Sequence, residues 1–592
     1  MSVCSSTLVQ RVLGRLTGVR IARACPRGRG PTPLLCGAAL AAVTGCADPA
    51  SKAVRPAAPD DASAPSDTGS EGSDDDRHTA VDATPGTPCE PQSNAWPMEP
   101  WTDAAWAQQE VTPPSGPYPT SAWGAAVADF NGDELLDIFL PQLGSSELFL
   151  NKGERAFEEV SSTHLPSGTV TALAATAVDL DGDNDMDVVE SGFGLFRLLL
   201  NDGGGRFTAA YPVAVDSTTL YLGSSWADMD ADGDLDGIVA AFPSAIPSMD
   251  EREDPGHLTG AADLLIEATE LGWVDASHRL PTTNDGHTFL AAWQDLDDDQ
   301  RPELLVMNDY FITGRTNRAW ALSGEEFIDV STTVGLDHGM ESMGLAITDA
   351  NNDQLPDMLI TGWGELAWLV SDPNGGPWID RRAADGYLLD TAEGQWVGWA
   401  AEFADLDNNQ AEEAVVSFGY WELAGEADDP DQVNAAEQPD AVFERIGSSM
   451  QDTAALWGID ARTYGRGMVA ADIDRDGCIE LLRRPVFGPA TIDSPRCTEA
   501  NWATIGLRSA TANSRAVGAR IRIDTADAVQ TRWVRAGGTG LAGGGPSEVH
   551  VGLGDHEIID RVTVDWPDGS QTVHEGLPAN RHIVIRRTDG MR

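Results

Sequence analysis

An all-β fold, a seven-bladed β-propeller followed by a small C-terminal β domain, is what this 592-residue sequence predicts, and three observations predict it. A nine-residue, acid-studded stretch recurs seven times in one phase. Each copy is bracketed by two short runs of small, branched or apolar residues, the pattern of a hairpin. No unit shows a sustained helical period, which removes the helical solenoid as the meaning of a long repeat. Four short strands per unit, closed radially, leave only short protected edges.

The clearest copy is DLDGDNDMD at 179–187. Carboxylates at its first, third, fifth and ninth positions point oxygens inward at one hard cation while the seventh residue offers its carbonyl, and such a ligand set prefers calcium. Read this way, up to seven Ca2+ sites draw on Asp129, Asn131, Asp133, Leu135 and Asp137; Asp179, Asp181, Asp183, Asp185 and Asp187; and Asp228, Asp230, Asp232, Asp234 and Asp236. The later loops contribute Asp295, Asp297, Asp299, Arg301 and Glu303; Asp349, Asn351, Asp353, Leu355 and Asp357; Asp405, Asp407, Asn409, Ala411 and Glu413; and Asp472, Asp474, Asp476, Cys478 and Glu480. First aspartates are separated by 50, 49, 67, 54, 56 and 67 residues. An EF-hand needs a bidentate Glu at position twelve and flanking helices. Only Glu190 of the seven position-twelve residues complies.

Taken from the amino terminus, residues 1–46 read as an export signal. Residues 1–33 hold six arginines and no acid, and the apolar run Leu34 to Val43 is too short to span a bilayer permanently. Val43-Thr44-Gly45-Cys46 resembles a bacterial lipobox. That resemblance implies cleavage before Cys46 and lipid attachment there, with an ordinary secretory signal as the competing reading. The chain is then expected to be exported and lipid-anchored to a bacterial envelope, at the outer membrane or cell surface, with the lipid as its sole membrane contact. Residues 47–95, rich in Ala, Pro, Ser, Asp and Gly, read as a disordered acidic tether. Residues 96–499 are expected to form the propeller. Gly124-Ala125-Ala126-Val127-Ala128 and its counterparts precede the loops, and small residues suit innermost strands that converge on a narrow axis. Runs such as Ile138-Phe139-Leu140 follow them. The spans 241–290 and 417–465 carry extra material, equally suited to recognition and to tolerated decoration.

From 500 to 592 the acid loops stop and alternating strands such as Ala519-Arg520-Ile521-Arg522-Ile523 take over, forming a separate β domain. Cys478 and Cys497 are spaced to suit a disulfide in an oxidising compartment, with Cys89 left over; the sequence leaves the pairing open.

The D-x-[DN]-x-[DN]-x-x-x-[DE] loop between two short strands resembles the FG-GAP or VCBS repeat of integrin α-subunit heads and bacterial surface proteins. Asn513-Ser514-Arg515, Val517-Gly518-Ala519-Arg520, Glu548 to Gly554 and Val564-Asp565-Trp566-Pro567-Asp568-Gly569 resemble the ASPIC/UnbV domain of the cartilage acidic protein-like family. The resemblance implies calcium on one face of the propeller and an extracellular, adhesive role. Glycine, favoured at position six for its left-handed turn, is present only as Gly233 and Gly477, and the sixth loop, with Asn409 and Gln410, is expected to bind weakest.

With 38 basic against 94 acidic residues the net charge is −56, which repels phosphate backbones and excludes nucleic acid as a partner. No nucleophile elbow, H-E-x-x-H helix or phosphate loop is present. The expectation is a non-enzymatic binding or adhesion module for a glycan or extracellular protein. The alternatives are a polysaccharide hydrolase or lyase with acids in the propeller funnel, and a protein-interaction scaffold. Trp123, Trp226, Trp293 and Trp399 recur at fixed offsets before their loops, which suits blade packing more than sugar stacking.

Overall fold

The computed structural model describes residues 79–86, 99–100, 122–243, 260–309, 314–389, 396–420, 437–486, 489–494 and 499–587. The export signal, Cys46, Cys89, Cys497 and most of the two long insertions lie outside the described residues. No helix among the described residues is long and apolar enough to cross a membrane.

Seven antiparallel sheets, five of four strands and two of five, surround a common axis. Blade 1 runs Ala126–Ala128, Asp137–Leu140, Glu147–Asn151 and Phe157–Glu159, from the axis outward. The next five innermost strands are Val170–Val178, Thr219–Ala227, Thr288–Gln294, Ser342–Thr348 and Gly398–Ala404. In every blade the acid-studded loop joins the innermost strand to its neighbour, as the hairpin pattern predicts.

Blade 7 is assembled from both ends of this region. Gly467–Ala471, Glu480–Arg484 and Thr491–Ser494 supply three strands, and Glu99–Pro100, from far upstream, supplies the outermost. The ring is sealed by apolar contact: Ile138 and Phe149 of blade 1 share one core cluster with Val469, Leu482 and Ile492 of blade 7. Burying such side chains contributes roughly 1.5–3 kcal/mol each. Short helical turns after the outer strands, such as Ser331–Val334 and Ala454–Trp457, carried no signal strong enough to be read in advance. Trp123, Trp226, Trp293 and Trp399 are all buried, so these four pack blades and cannot stack sugars.

The C-terminal domain is a sandwich of two four-stranded sheets over a core of Ile505, Ile521, Val551, Val564 and Ile583. One sheet takes its edge strand from Thr79–Pro85, which pairs antiparallel with Arg581–Arg587. The interval 47–95, read from composition as tether throughout, therefore contains an ordered strand. Its alternation is weak because Ala83, Thr84 and Pro85 stay exposed at the sheet edge.

The axis is not hollow. The glycine-rich segment 535–545 of the C-terminal domain threads it and touches all seven blades. Gly544 exchanges amide hydrogen bonds with Ala125 and Val127, Ala175 donates to Ala542, and Met468 donates to Gly540, over 3.0–3.3 Å. Ala536–Gly537 pairs with Ser225 and Trp226, Arg535 reaches Gln294 and the Ile347 carbonyl, and Thr539 bonds Glu402. The small residues of the innermost strands thus answer to this segment as well as to each other. A Cβ on Gly124 would lie 1.6 Å from the Ala542 carbonyl oxygen.

Candidate metal centre

Each of the seven loops is wired alike. The ninth-position carboxylate accepts the amide of position two over 2.7–3.2 Å, anchoring the end of the loop to its beginning. The first-position carboxylate accepts the amide of position six over 2.7–3.1 Å. The fifth-position side chain accepts the amide of position seven over 2.9–3.0 Å.

This wiring resolves the shortage of glycine. Positions four and six are left-handed in all seven loops, including Glu134, Gln300, Gln354 and Gln410 at position six, with φ of 67–77°. A left-handed L-residue costs on the order of 1–2 kcal/mol, which the amide bond to the first aspartate offsets. Apolar residues at position two, such as Leu180, Met229, Leu406 and Ile473, are buried beneath the loops. Together with the acids they form a signal that the carboxylate spacing alone passed over.

Three acidic oxygens converge within 4.8 Å of one another in five loops: Asp179, Asp181 and Asp187; Asp228, Asp230 and Asp236; Asp295, Asp297 and Asp299; Asp405, Asp407 and Glu413; and Asp472, Asp474 and Glu480. In the loops beginning at 129 and 349, position three is Asn131 or Asn351, so the side chain there is a neutral amide. The sixth loop, expected to be weakest, does gather three acids.

The comparisons with known proteins bear on these repeats and on the C-terminal sandwich. Residues 129–190 match the FG-GAP-like repeat, and residues 509–592 match the ASPIC and UnbV family. The chain is an FG-GAP repeat protein with a C-terminal ASPIC/UnbV domain. No curated protein matches it. Among solved structures, BBS1N in complex with ARL6DN is 10% identical, with a TM-score of 0.37 over 64% of this chain and 94% of that one. An Agrocybe aegerita lectin that recognises non-reducing terminal N-acetylglucosamine is 14% identical, with a TM-score of 0.33 over 62% and 85%.

The UnbV domain sits on the loop face. Asn513 donates its amide to the Gly233 carbonyl at 3.0 Å, and the Ser514 hydroxyl donates to Asp179. Arg520 pairs with Asp298 at 2.7 Å and Arg532 with Glu412 at 3.1 Å. Gly554 donates to Asn408 at 2.9 Å, and His550 lies 3.0 Å from the Gly477 carbonyl. Reading the sandwich as an appendage to the propeller missed this contact, because complementary surfaces leave no periodic trace in either segment.

The loops fit a divalent cation. Asp181 Oδ1, Asp230 Oδ1, Asp472 Oδ1 and Asp474 Oδ1 are buried with no hydrogen-bond donor among the described residues, an arrangement that costs free energy unless something positive meets them. Burial pushes the Asp137 and Asp357 carboxyls up to about 7, and those of Asp236 and Glu303 up to about 8, despite the amides they accept. Burial drives Asp187, Glu413 and Glu480 well above their ordinary range too. A bound cation would reverse that preference. In the seventh loop the protein supplies part of this charge itself, since Arg155 of blade 1 reaches Asp474 at 2.9 Å. Cys478, at position seven of the same loop, is buried, and burial raises its thiol far above the ordinary value.

Proposed function

We propose that this β-propeller interaction module is an exported, calcium-stapled binding protein, anchored through lipid on Cys46 to a bacterial envelope, with a glycan or extracellular protein as its ligand. The observation that carries the calcium assignment is the common wiring of the seven loops, with the buried oxygens of Asp181, Asp230, Asp472 and Asp474 lacking donors in three of them. First, third, fifth and ninth side chains would hold the ion. Its chemistry there is charge neutralisation, which lets each hairpin keep its acids ionised inside the fold.

A binding role is favoured over a hydrolase by the state of the axis. The hydrolase reading places its acids in the funnel, where segment 535–545 instead fills the space between the blades. Glu402, a half-buried acid of that region, is engaged by Thr539 and faces the charge of Arg535.

The test is a glycan and matrix-protein binding screen with calcium and with chelator, alongside metal analysis of the purified chain and lipid labelling of wild type and Cys46→Ala. Calcium-dependent capture, calcium in the protein and label lost in the variant are expected. Capture unchanged by chelation, or turnover of a polysaccharide without retention, overturns the reading.

A further inference from the structure

Between the first loop and the UnbV domain lies a cavity of about 290 Å³, lined on one side by that loop and on the other by residues of the domain. Arg508, Arg515 and Arg475 line it, and so does Gly506, beside Arg508. In a chain with 38 basic residues against 94 acidic ones, four guanidinium groups line one cavity, the fourth being Arg586, which is paired with Asp82 at 2.9 Å.

Their partners differ in kind. Arg475 is neutralised by Glu548 and also donates to the Glu134 carbonyl at 3.2 Å. Arg508 and Arg515 form no ion pair with a carboxylate among the described residues. Arg508 donates to the carbonyl of Leu507 at 2.8 Å, and Arg515 to that of Asn184 at 2.5 Å. Arg515 Nε is buried with no acceptor among the described residues. Each guanidinium is half-buried with no carboxylate in direct contact, and its fork of donors matches a carboxylate or sulfate.

Gly506 gives a second, independent indication. It lies within the strand Asn501–Arg508, where glycine weakens pairing and packs nothing. A Cβ there would meet no atom closer than 3.6 Å, and that atom is Arg508 Nη1 itself. The backbone is not left-handed, so neither crowding nor conformation demands glycine. What the missing side chain does is keep the cavity open in front of Arg508.

We propose that this cavity is an anion site, in which Arg508 and Arg515 hold one carboxylate or sulfate group of a ligand of about monosaccharide size. Asp129 and Asp133 of the first loop stand at the rim, so the site takes its anion best when that loop's acids are neutralised. The proposal is independent of the envelope role, because a simple anion is enough to test it.

The experiment is isothermal titration of the calcium-saturated chain with sodium sulfate, sodium glucuronate, glucose and sodium chloride at matched ionic strength. Saturable binding of glucuronate or sulfate, but not of glucose or chloride, is expected. A preference for glucuronate assigns the site to acidic sugars, and a preference for sulfate assigns it to sulfate groups. Arg508→Gln and Arg515→Gln should each weaken binding about tenfold, the worth of one charge-assisted pair. Gly506→Val should abolish it by filling the space while keeping both arginines and a strand-compatible residue. Arg561→Gln, a variant of an exposed arginine of the same domain, should bind as wild type. If an arginine variant fails to fold by its circular dichroism, Gly506→Val decides. No saturable anion binding, equal binding of glucose, or binding that survives Gly506→Val overturns the proposal.

Discussion

In the propeller, Asp187, Asp236 and Glu480 are buried among other acids. In the UnbV domain the buried positions are Ile505, Val551 and Ile583, and the acids sit at the margin beside arginines, as in Arg587–Asp568 at 2.7 Å and Arg520–Asp565 at 2.8 Å. The same contrast shows in ionisation. Burial raises Asp137 to about 7 and Asp236 to about 8, whereas the hydrogen bond from Arg587 lowers Asp568 to about 2. One region is a set of hairpins whose acids lie among other acids, which on the proposed reading calcium neutralises, and the other is a sandwich that carries its own countercharge. With calcium in the loops as proposed, the propeller's stability is conditional on solution composition, and the sandwich's only through segment 535–545 and the loop contacts.

The most severe way to break this contrast is chelation. Removing a ligand held at a hundred times its dissociation constant costs about 2.7 kcal/mol per site, so several sites together should lower the melting temperature by tens of degrees. Hydrogen exchange in chelator should open the loop amides, such as those of Asn184 and Gly233, before the amides of Ile505 and Val551. Simultaneous opening of both regions at unchanged temperature would sink the comparison. Next comes Leu541→Ala, which hollows the axial segment where Leu541 is fully buried against Trp123, Leu173 and Met468. A loss of about 2–5 kcal/mol in denaturant titration is expected, with the two regions then unfolding separately.

The pH response of the metal-free chain should have opposite sign in the two regions. Carboxyls such as Asp236, raised from 3.8 to about 8, give stability that is complete below pH 3.8 and is lost as pH rises through about 8. Burial lowers His550 and His582 from 6.5 to about 4, so their stability is present above pH 6.5 and is lost as pH falls through about 4. Each histidine shift is worth at most roughly 3 kcal/mol. Region-resolved hydrogen exchange between these limits reads the sign, and adding calcium should flatten the propeller's slope by keeping its acids ionised. Asp236→Asn should remove one calcium by metal analysis and leave the other sites filled. Arg561→Ala, which breaks an exposed pair with Glu575 at 3.0 Å, should change stability by less than about 1 kcal/mol.

Much of the candidate site was legible because a loop's chemistry is local. Nine consecutive residues contain the acids, the apolar anchors and the turn, so spacing alone locates them. The left-handed turns at Glu134 and Gln410 were harder to read, since the hydrogen bond that stabilises them outweighs the residue's own preference. The two arginines of the anion cavity were invisible, because what distinguishes Arg508 and Arg515 from other arginines is the partner each lacks in space.

By itself the sequence determined the all-β class, the phase of the acid-studded hairpins and the small residues of the innermost strands, all of which follow from period and composition within a few tens of residues. Only the tertiary structure decided that Glu99–Pro100 completes blade 7, that Thr79–Pro85 joins a strand some five hundred residues away, and that segment 535–545 fills the axis. These are pairings between distant segments, chosen by which edges and surfaces remain open once the local hairpins have formed. Backbone hydrogen bonds pair any extended strand with any other, so the choice of partner is written in shape and not in local pattern.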